Sequence, residues 1–435
     1  MRAVGKDFGA ELKRLRTAAG LSLHDLSVQI HYSRGHLSKV ENNMASPSPA
    51  LVRLADAAVH ASGELIAFLE NRVDPDQSSG GTGDRPWAVA MDPESGAWFA
   101  PTGRGRDVVQ GAASGPGFRA MPVSEVSPAQ VEVVLRAFRA AFDETRAAGR
   151  LVDPRLLLPT LWAATHTLRE LAAAARPPVR AGALGLASRY AELAGWMTQE
   201  TGDDQAALWW TDLAVQLADF AGDDALGAYA HVRRALVALY RGDSAGTVEH
   251  ARQAQAHAGA PMAVHGLAAL REAQGLALMG DGSECRRAID RGAECLAQAE
   301  DADPAFPALG STSRADPVTM ATGWCLHDLG RPAQAADVLG REIRRISAGS
   351  SRARTRFAAR QALAAATAGD ADHACELTRG LLPSACDLGS ATIRHDLRQL
   401  ARTFRRWPAH NEVRMIQLDL DKLLRPPAPA GLAKG

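Results

Sequence analysis

The dipeptide Gly-Asp recurs from residue 202 onward, and it constrains the fold more than any other feature of the chain. It occurs at positions 202–203, 222–223, 242–243, 280–281 and 369–370, in each case after a stretch rich in small and apolar residues. Glycine readily adopts the left-handed conformation that ends a helix. Aspartate accepts hydrogen bonds from the free amides that open the next helix. Each Gly-Asp therefore predicts a tight corner between two antiparallel helices.

Helical hairpins in succession predict a stacked array, because one hairpin cannot bury its apolar face alone. The corner glycines at positions 242, 280, 330 and 369 are 38, 50 and 39 residues apart. The segments around them resemble the tetratricopeptide repeat, whose period is about 34 residues. The longer spacing indicates degenerate repeats, with long helices and one long loop. A generic helical bundle with Gly-Asp corners remains the alternative.

Composition and charge exclude several classes of protein. The chain has 435 residues, 46% of them apolar, and 49 basic residues balance 49 acidic ones. A wholly disordered chain and a basic protein that coats nucleic acid by bulk charge are both excluded. Since no stretch approaches about 18 consecutive apolar residues, we expect no membrane span. With no signal-peptide core and five widely spaced cysteines, we expect a cytoplasmic protein with reduced thiols, associated with the nucleoid when bound to DNA.

Changes in composition and residue pattern divide the chain into four parts. Residues 1–72 form a first domain, 73–126 a linker rich in Gly and Pro, 127–425 the repeat domain, and 426–435 a disordered tail. The linker begins DPDQSSGGTGDRP, which is typical of a flexible segment. It also contains WAVAMDPESGAWFAP, for which two readings are open. Either this stretch is a β-hairpin that docks Trp87, Trp98 and Phe99 on a neighbouring surface, or it is disordered.

Apolar residues recur at helical spacing in four short segments of the first domain. They are Phe8, Leu12 and Leu15; Leu23, Leu26 and Ile30; Leu37 and Val40; and Leu51, Leu54 and Ala58. Gly20 ends the first segment, and Ser22 with Asp25 forms an approximate capping box for the second. Ser33 caps the third, which runs from residue 34 to 41. A helix, a tight turn and a helix within a small helical domain predict a helix-turn-helix.

This first domain resembles the Xre family of phage-repressor-like DNA-binding domains. The matching residues are Leu15-Arg16, Gly20-Leu21-Ser22, Ser33-Arg34 and Leu37-Ser38-Lys39-Val40-Glu41, followed by Pro47-Ser48. The resemblance implies a five-helix fold in which Arg16 pairs with Glu41 and fixes the first helix to the recognition helix. Two positions depart from the family pattern. His31 stands where many members have Gly at the turn, and Leu23 where many have a Gln that contacts the DNA backbone.

The recognition helix and its flanks supply the candidate DNA contacts, which are Ser33, Arg34, Gly35, His36, Ser38, Lys39, Asn42 and Asn43. Arg34 can donate two hydrogen bonds to a guanine edge, and Lys39 can reach a base or a phosphate. His36 and Ser38 are adaptable polar contacts, and Gly35 permits close approach. The alternative is an ordinary solvated helix face. Because the local charge is modest, we expect a homodimer on an inverted repeat of double-stranded DNA.

The remaining candidate sites are weaker. The sequence has no phosphate loop, zinc-protease motif or nucleophile elbow, so we expect no cofactor, no metal and no enzyme. His250 and His257 could share a helix face without forming a metal site. Two groups of arginines are either solvated or attract an anion. They are Arg394, Arg398, Arg402, Arg405 and Arg406, and Arg341, Arg344, Arg345, Arg352, Arg354 and Arg356.

The two predicted domains together resemble bacterial regulators, of an actinobacterial style, that join a helix-turn-helix to a tetratricopeptide sensor. The resemblance implies a regulator of transcription whose repeats dimerise or hold a peptide, protein or small signal in their groove. Two alternatives remain. One is an interaction scaffold with a vestigial helix-turn-helix, and the other is an enzyme in the helical domain, which no motif supports. The expected fold class is all-α, with an α-solenoid as the second domain.

Overall fold

The computed structural model describes residues 8–30, 32–44, 47, 49–61, 63–66, 87–92, 96–101, 127–177, 179–299 and 315–425. Apart from one pair of strands, the regular structure in these ranges is helical, so the expected all-α class is confirmed. The turn at His31 and the tail at 426–435 lie outside the described residues, and so does the expectation attached to each.

The first four helices form the head, which we define as residues 8–66. They are α1 (Phe8–Ala18), α2 (Leu23–Gln29), α3 (Arg34–Glu41) and α4 (Pro49–Ala58). One core joins them, with Leu12, Leu26, Leu37 and Leu51 fully buried. Ser22 and Asp25 form the complete capping box at the start of α2. Where a fifth helix was expected, residues 63–66 form a turn, and residues 67–72 lie outside the described ranges.

A two-stranded antiparallel hairpin lies within the segment predicted to be a linker. Strand β1 runs over Trp87–Asp92 and strand β2 over Gly96–Pro101, with Trp87 opposite Pro101 and Asp92 opposite Gly96. Of the two readings of this stretch, the hairpin is the one found. The docking of Trp87, Trp98 and Phe99 concerns side chains outside the described part of the chain.

The repeat array contains fourteen helices within the described residues. They are α5 (Pro128–Ala148), α6 (Leu158–Ala174), α7 (Val179–Thr201), α8 (Asp204–Ala221), α9 (Ala225–Arg241), α10 (Ser244–Gln255), α11 (Met262–Met279), α12 (Gly282–Ala297), α13 (Pro317–Asp328), α14 (Pro332–Ile343), α15 (Ser351–Thr367), α16 (Ala371–Leu388), α17 (Ala391–Phe404) and α18 (Asn411–Leu424). Short 3₁₀ turns at Pro154–Leu156 and Ala348–Ser350 join them. From α7 onward, each odd-numbered helix forms a hairpin with the next even-numbered one.

The corners have the chemistry expected from Gly-Asp at four of the five positions. The glycine takes a positive φ, and the aspartate side chain accepts from the amide three residues later, at Asp203, Asp243, Asp281 and Asp370. The exception is Asp223, which follows Gly222. It is buried and forms an ion pair with Arg189 at 2.6 Å. Its Oδ1 still accepts from the amide of Ala225 at 3.1 Å, two residues later instead of three. The carboxylate therefore caps the start of α9 and pairs with a buried guanidinium at the same time.

The odd-numbered helices form the inner layer of the array. Helices α9, α11, α13, α15 and α17 pack against one another in turn. Helix α9 reaches α7 through Arg233, which donates to Gln199 at 3.0 Å. The even-numbered helices cover this layer from outside, and each leaves one face in solvent. Charged side chains on the inner layer therefore point into the array, where they must find partners or remain unpaired.

The array closes on itself, because the last inner helix contacts the first. Glu200 near the end of α7 accepts hydrogen bonds from Ser390 and from Thr392, the latter at 3.1 Å. Arg352 at the start of α15 donates to the same carboxylate at 3.2 Å and to the carbonyl of Gly149 at 2.9 Å. All of these side chains are buried. Helices α7–α18 therefore form a ring, the name used below for this part of the molecule.

Candidate nucleic-acid interface

Helix α3 is divided lengthwise into a buried side and an open side. Leu37 and Val40 are fully buried in the head. At about 100° per residue, the opposite side is formed by positions 34, 35, 38, 39 and 42. Arg34, Gly35 and Lys39 are exposed there, and Ser38 is half-buried. Five of the eight candidate DNA contacts thus share one accessible side of a single short helix.

The N-terminus of α3 is capped from within the head. Ser33 has extended backbone geometry, and its hydroxyl oxygen accepts from the amide of His36 at 3.2 Å. The other amides of the first turn have no partner within the helix. Together with the helix dipole, such amides favour an anion such as a DNA phosphate.

A buried ion pair fixes α3 to α1. Arg16 donates from Nε to Glu41 at 2.6 Å and from Nη2 at 3.0 Å. This is the pair that the resemblance implied. The hydrogen bond to Glu41 raises the pKa of Arg16 despite partial burial. A feature not foreseen in the sequence adds to it: a Cβ on Gly9 would lie 2.5 Å from the carbonyl oxygen of Val40, so the helices touch at a glycine.

His36 and Asn43 flank the open side, and Asn42 lies at its C-terminal end. The His36 ring is half-buried and stacks on Tyr32, with 5.8 Å between ring centroids. Asn42 donates to the carbonyl of Ser38 at 2.7 Å, which ends the helix. Asn43 is exposed and has a positive φ of 55°. These side chains flank Arg34 and Lys39, and the structure gives each of them a local contact.

Arg34 and Lys39 differ from the arginines elsewhere in the head, which approach carboxylates. Neither forms an ion pair with any residue that the structure describes. By contrast, Arg14 on α1 pairs with Glu11 at 2.7 Å and with Glu64 at 3.2 Å. Two cations therefore remain available for an external anion on the open side of α3.

The head docks on the ring at two glycine corners, through surfaces away from α3. A Cβ on Gly330 would lie 2.6 Å from the Cβ of Ala57 on α4. Gly280 approaches Gly63 just as closely, with 2.6 Å from such a Cβ to the Cα of Gly63. These glycines therefore serve the corner by their positive φ and the docking by their lack of a side chain.

Two arginines bridge the head and the ring. Arg53 on α4 approaches Asp328 at the end of α13, at 4.0 Å. Arg406 after α17 lies over the ring of Tyr32 at 4.3 Å and donates to the carbonyl of Ile30 at 3.5 Å. Both contacts lie beside α2 and α4, so the open side of α3 remains accessible among the described residues.

The structure separates the two groups of arginines singled out in the sequence. Arg398, Arg402, Arg341 and Arg344 are exposed, in agreement with a solvated face. Arg406, Arg352 and Arg356 have other roles, in docking, in ring closure and in the ring interior. His231 lies 5.9 Å from His250 and 5.8 Å from His257 between ring centroids. No group of three or more His, Cys, Asp or Glu residues in the described ranges could hold a metal ion.

Comparison with known proteins finds a family match for the head and no match for the ring. Residues 7–69 match a family model described as a helix-turn-helix domain. No curated protein and no solved structure matches the chain significantly. Among the described helices, none is both long and apolar enough to cross a membrane. The head is thus a helix-turn-helix domain, as α2, the tight turn and α3 indicate.

Proposed function

We propose that this chain is a sequence-specific DNA-binding regulator of transcription of the Xre type, a binding protein and not an enzyme. The observation that carries the proposal is the open side of α3, which remains accessible while the head is docked on the ring. A duplex major groove accepts an α-helix, and its base edges are read by arginine and lysine.

In this proposal the eight candidate residues have separate roles. Arg34 and Lys39 read base edges, and Ser38 adds an adaptable polar contact. Gly35 lets the helix approach the groove closely. Ser33, Asn42 and Asn43 hold phosphates, and His36 contributes from the flank. Phosphate contacts set the register on the duplex, whereas base contacts select the sequence.

The ring has the second role in the proposal. Its hairpins, similar to tetratricopeptide repeats, serve to dimerise the protein, to bind a peptide, protein or small signal, or to do both. The docking contacts of Arg53 and Arg406 support this, because a change in the ring can then move the head. A signal regulates only if it binds one arrangement of head and ring better than another.

The test begins with selection of bound sequences from a pool of random duplexes, using the full chain. Arg34→Ala and Lys39→Ala are then compared with the wild type by gel shift on the selected duplex. We expect the double variant to lose most of its affinity, since each good base contact contributes about 1–3 kcal/mol. Arg286→Ala is the matched control, because Arg286 is exposed on the outer helix α12. Circular dichroism verifies that both variants retain their helices.

Two results of these experiments would each contradict the proposed DNA binding. A selection that enriches no sequence contradicts the proposal, and so does a double variant that binds as tightly as the control. The proposed dimer has its own test, in which one half-site is compared with two half-sites at a spacing of about 34–36 Å or multiples of it. Equal affinity for one and for two half-sites would contradict the dimer.

A further inference from the structure

Basic and aromatic side chains converge inside the ring. Arg271 on α11, Arg356 on α15 and Tyr240 at the end of α9 come together there from three inner helices. The Arg356 guanidinium carbon lies 5.2 Å from the centroid of Tyr240 and 5.4 Å from that of Trp324. The Tyr240 ring also meets His395 of α17, at 5.4 Å between centroids. Arg271, Arg356 and Tyr240 are only half-buried, so water reaches this point.

The carboxylates of the inner layer are already engaged elsewhere. Asp396 accepts from Arg360 at 3.1 Å. Glu200 is held by the closure contacts described above, and Asp223 pairs with Arg189. Neither Arg271 nor Arg356 has a carboxylate within 4.0 Å among the residues that the structure describes. Arg271 and Arg356 thus lie near each other without a carboxylate in direct contact. Burial opposes the charge of Arg356, but Tyr240, Glu200 and Asp396 act on it from a longer distance and raise its pKa. The uncompensated charge is therefore that of Arg271.

Such an arrangement opposes folding in the absence of a ligand. Burial, together with the charge of Arg356, lowers the pKa of Arg271 to about 10. A buried unpaired charge is retained at a cost in stability unless something neutralises it. Proteins retain residues that lower stability mainly at functional sites, where those residues serve binding or activity.

Hydrogen-bond donors at the same point also lack partners. The Nε atoms of Arg271 and Arg356 and the hydroxyl of Tyr240 are buried without a hydrogen bond to any described residue. On Arg271, one Nη donates to Gln274, which leaves the charge uncompensated. Guanidinium groups bind carboxylates and phosphates through paired N–H donors. The unused donors are therefore of the kind that an oxyanion satisfies.

We propose that the ring interior binds a small oxyanion, a carboxylate or a phosphate, between Arg271, Arg356 and Tyr240. We infer a small ligand because the site is formed by a few side chains, with Arg356 only 5.2 Å from the ring centroid of Tyr240. The proposal deepens and rests on the proposed function, since it assigns the chemistry of the signal.

The site also has a physical connection to the head. Arg360, one turn after Arg356 on α15, lies over Trp324 at 4.2 Å and donates to Asp328 at 2.6 Å. Asp328 in turn faces Arg53 of the head at 4.0 Å. An anion that draws Arg356 away from Trp324 therefore acts three contacts away from the docking arginine, through Arg360 and Asp328.

The test uses the full chain without DNA, with phosphate, succinate and citrate as probes and sodium chloride at equal ionic strength as reference. We expect one probe to bind saturably at one per chain by calorimetry and to raise Tm. Arg271→Met and Tyr240→Phe should weaken this binding at least tenfold. Arg286→Met on the outer surface should bind as the wild type does.

A second readout separates a ligand site from a structural role. Without any anion, Arg271→Met should be at least as stable as the wild type, because an unpaired charge has been removed. A lower Tm for that variant, or binding of no probe beyond the chloride reference, would overturn the proposal. In the absence of anion, Arg271→Met should bind the selected duplex with the same affinity as the wild type. Loss of DNA binding in the wild type would instead contradict the proposed function and leave the anion titration interpretable.

Discussion

Two pairs of basic residues without a carboxylate partner, one in the head and one in the ring, lie in opposite environments. In the head, Arg34 and Lys39 are exposed on the open side of α3, whereas the buried Arg16 has Glu41 as its partner. In the ring, the exposed Arg252 and Arg291 share Glu272. Arg271 and Arg356 are half-buried in the ring interior, without a carboxylate in direct contact. Under the two proposals above, the head binds a large partner outside and the ring binds a small one inside.

This difference teaches that charge alone does not identify a binding surface. A solvated arginine costs little stability and is common. The basic residues on the open side of α3 therefore indicate DNA binding only because they belong to a helix-turn-helix. Arg271 is half-buried and has no carboxylate in direct contact among the described residues, so its charge lowers stability more than the charge of a solvated arginine does.

The largest expected effect concerns a buried ion pair of the ring. Arg352→Ala leaves Glu200 unpaired at the closure, and removal of one partner of a buried pair costs about 3–5 kcal/mol. The free energy of unfolding from urea titration should fall by that amount, while Arg34→Ala in the head should leave it unchanged. Equal losses for the two variants would break the contrast between head and ring.

A smaller effect is expected in acid. Burial lowers the pKa of His327 to about 4, and the adjacent charge of Arg360 contributes. An unfolded histidine takes up its proton near pH 6.5, so the unfolded state binds more protons between about pH 6.5 and 4. Stability should therefore decrease as the pH falls through this window, by about 3 kcal/mol at most. Burial lowers the pKa of His231 as well, and its contribution has the same sign.

His327→Asn isolates the part due to His327. Urea titrations at pH 7 and at pH 5 should show a smaller loss of unfolding free energy for this variant than for the wild type. The same loss in both proteins would mean that the buried histidine of the ring does not govern its acid sensitivity.

The smallest effect sharpens the docking of the head. Gly330 and Gly242 have nearly the same φ, 74° and 76°, but only Gly330 touches the head. Alanine at either corner incurs the left-handed strain of about 1–2 kcal/mol. Gly330→Ala should also displace α4, because its Cβ would lie 2.7 Å from the carbonyl oxygen of Arg53. Faster hydrogen exchange of α4 in Gly330→Ala than in Gly242→Ala is the expected result, and equal exchange would contradict the docking.

Much of this fold follows from local sequence. A glycine and a capping aspartate act within one helical turn, so the corner at Gly242-Asp243 could be predicted without knowledge of the tertiary structure around it. The buried and open sides of α3 likewise follow from helical spacing. The pair of Arg16 with Glu41 came from resemblance to a family and not from spacing, since 25 residues separate its members.

Contacts between distant residues were not predictable. Glu200 meets Thr392 across 192 residues, and no local pattern encodes a ring that closes. Arg352, Arg356 and Arg406 belonged to basic groups that looked alike in the sequence, and packing gave them three different surroundings. Asp223 shows the same limit, because its ion pair with a buried arginine one helix away could not be predicted from the Gly-Asp corner.

The most direct test of the central claim is the base preference of the wild type and of Arg34→Ala at each position of the selected duplex. If the open side of α3 enters the major groove, Arg34→Ala loses the preference for guanine at one position of each half-site and keeps it elsewhere. An unchanged preference at every position would show that another surface reads the DNA.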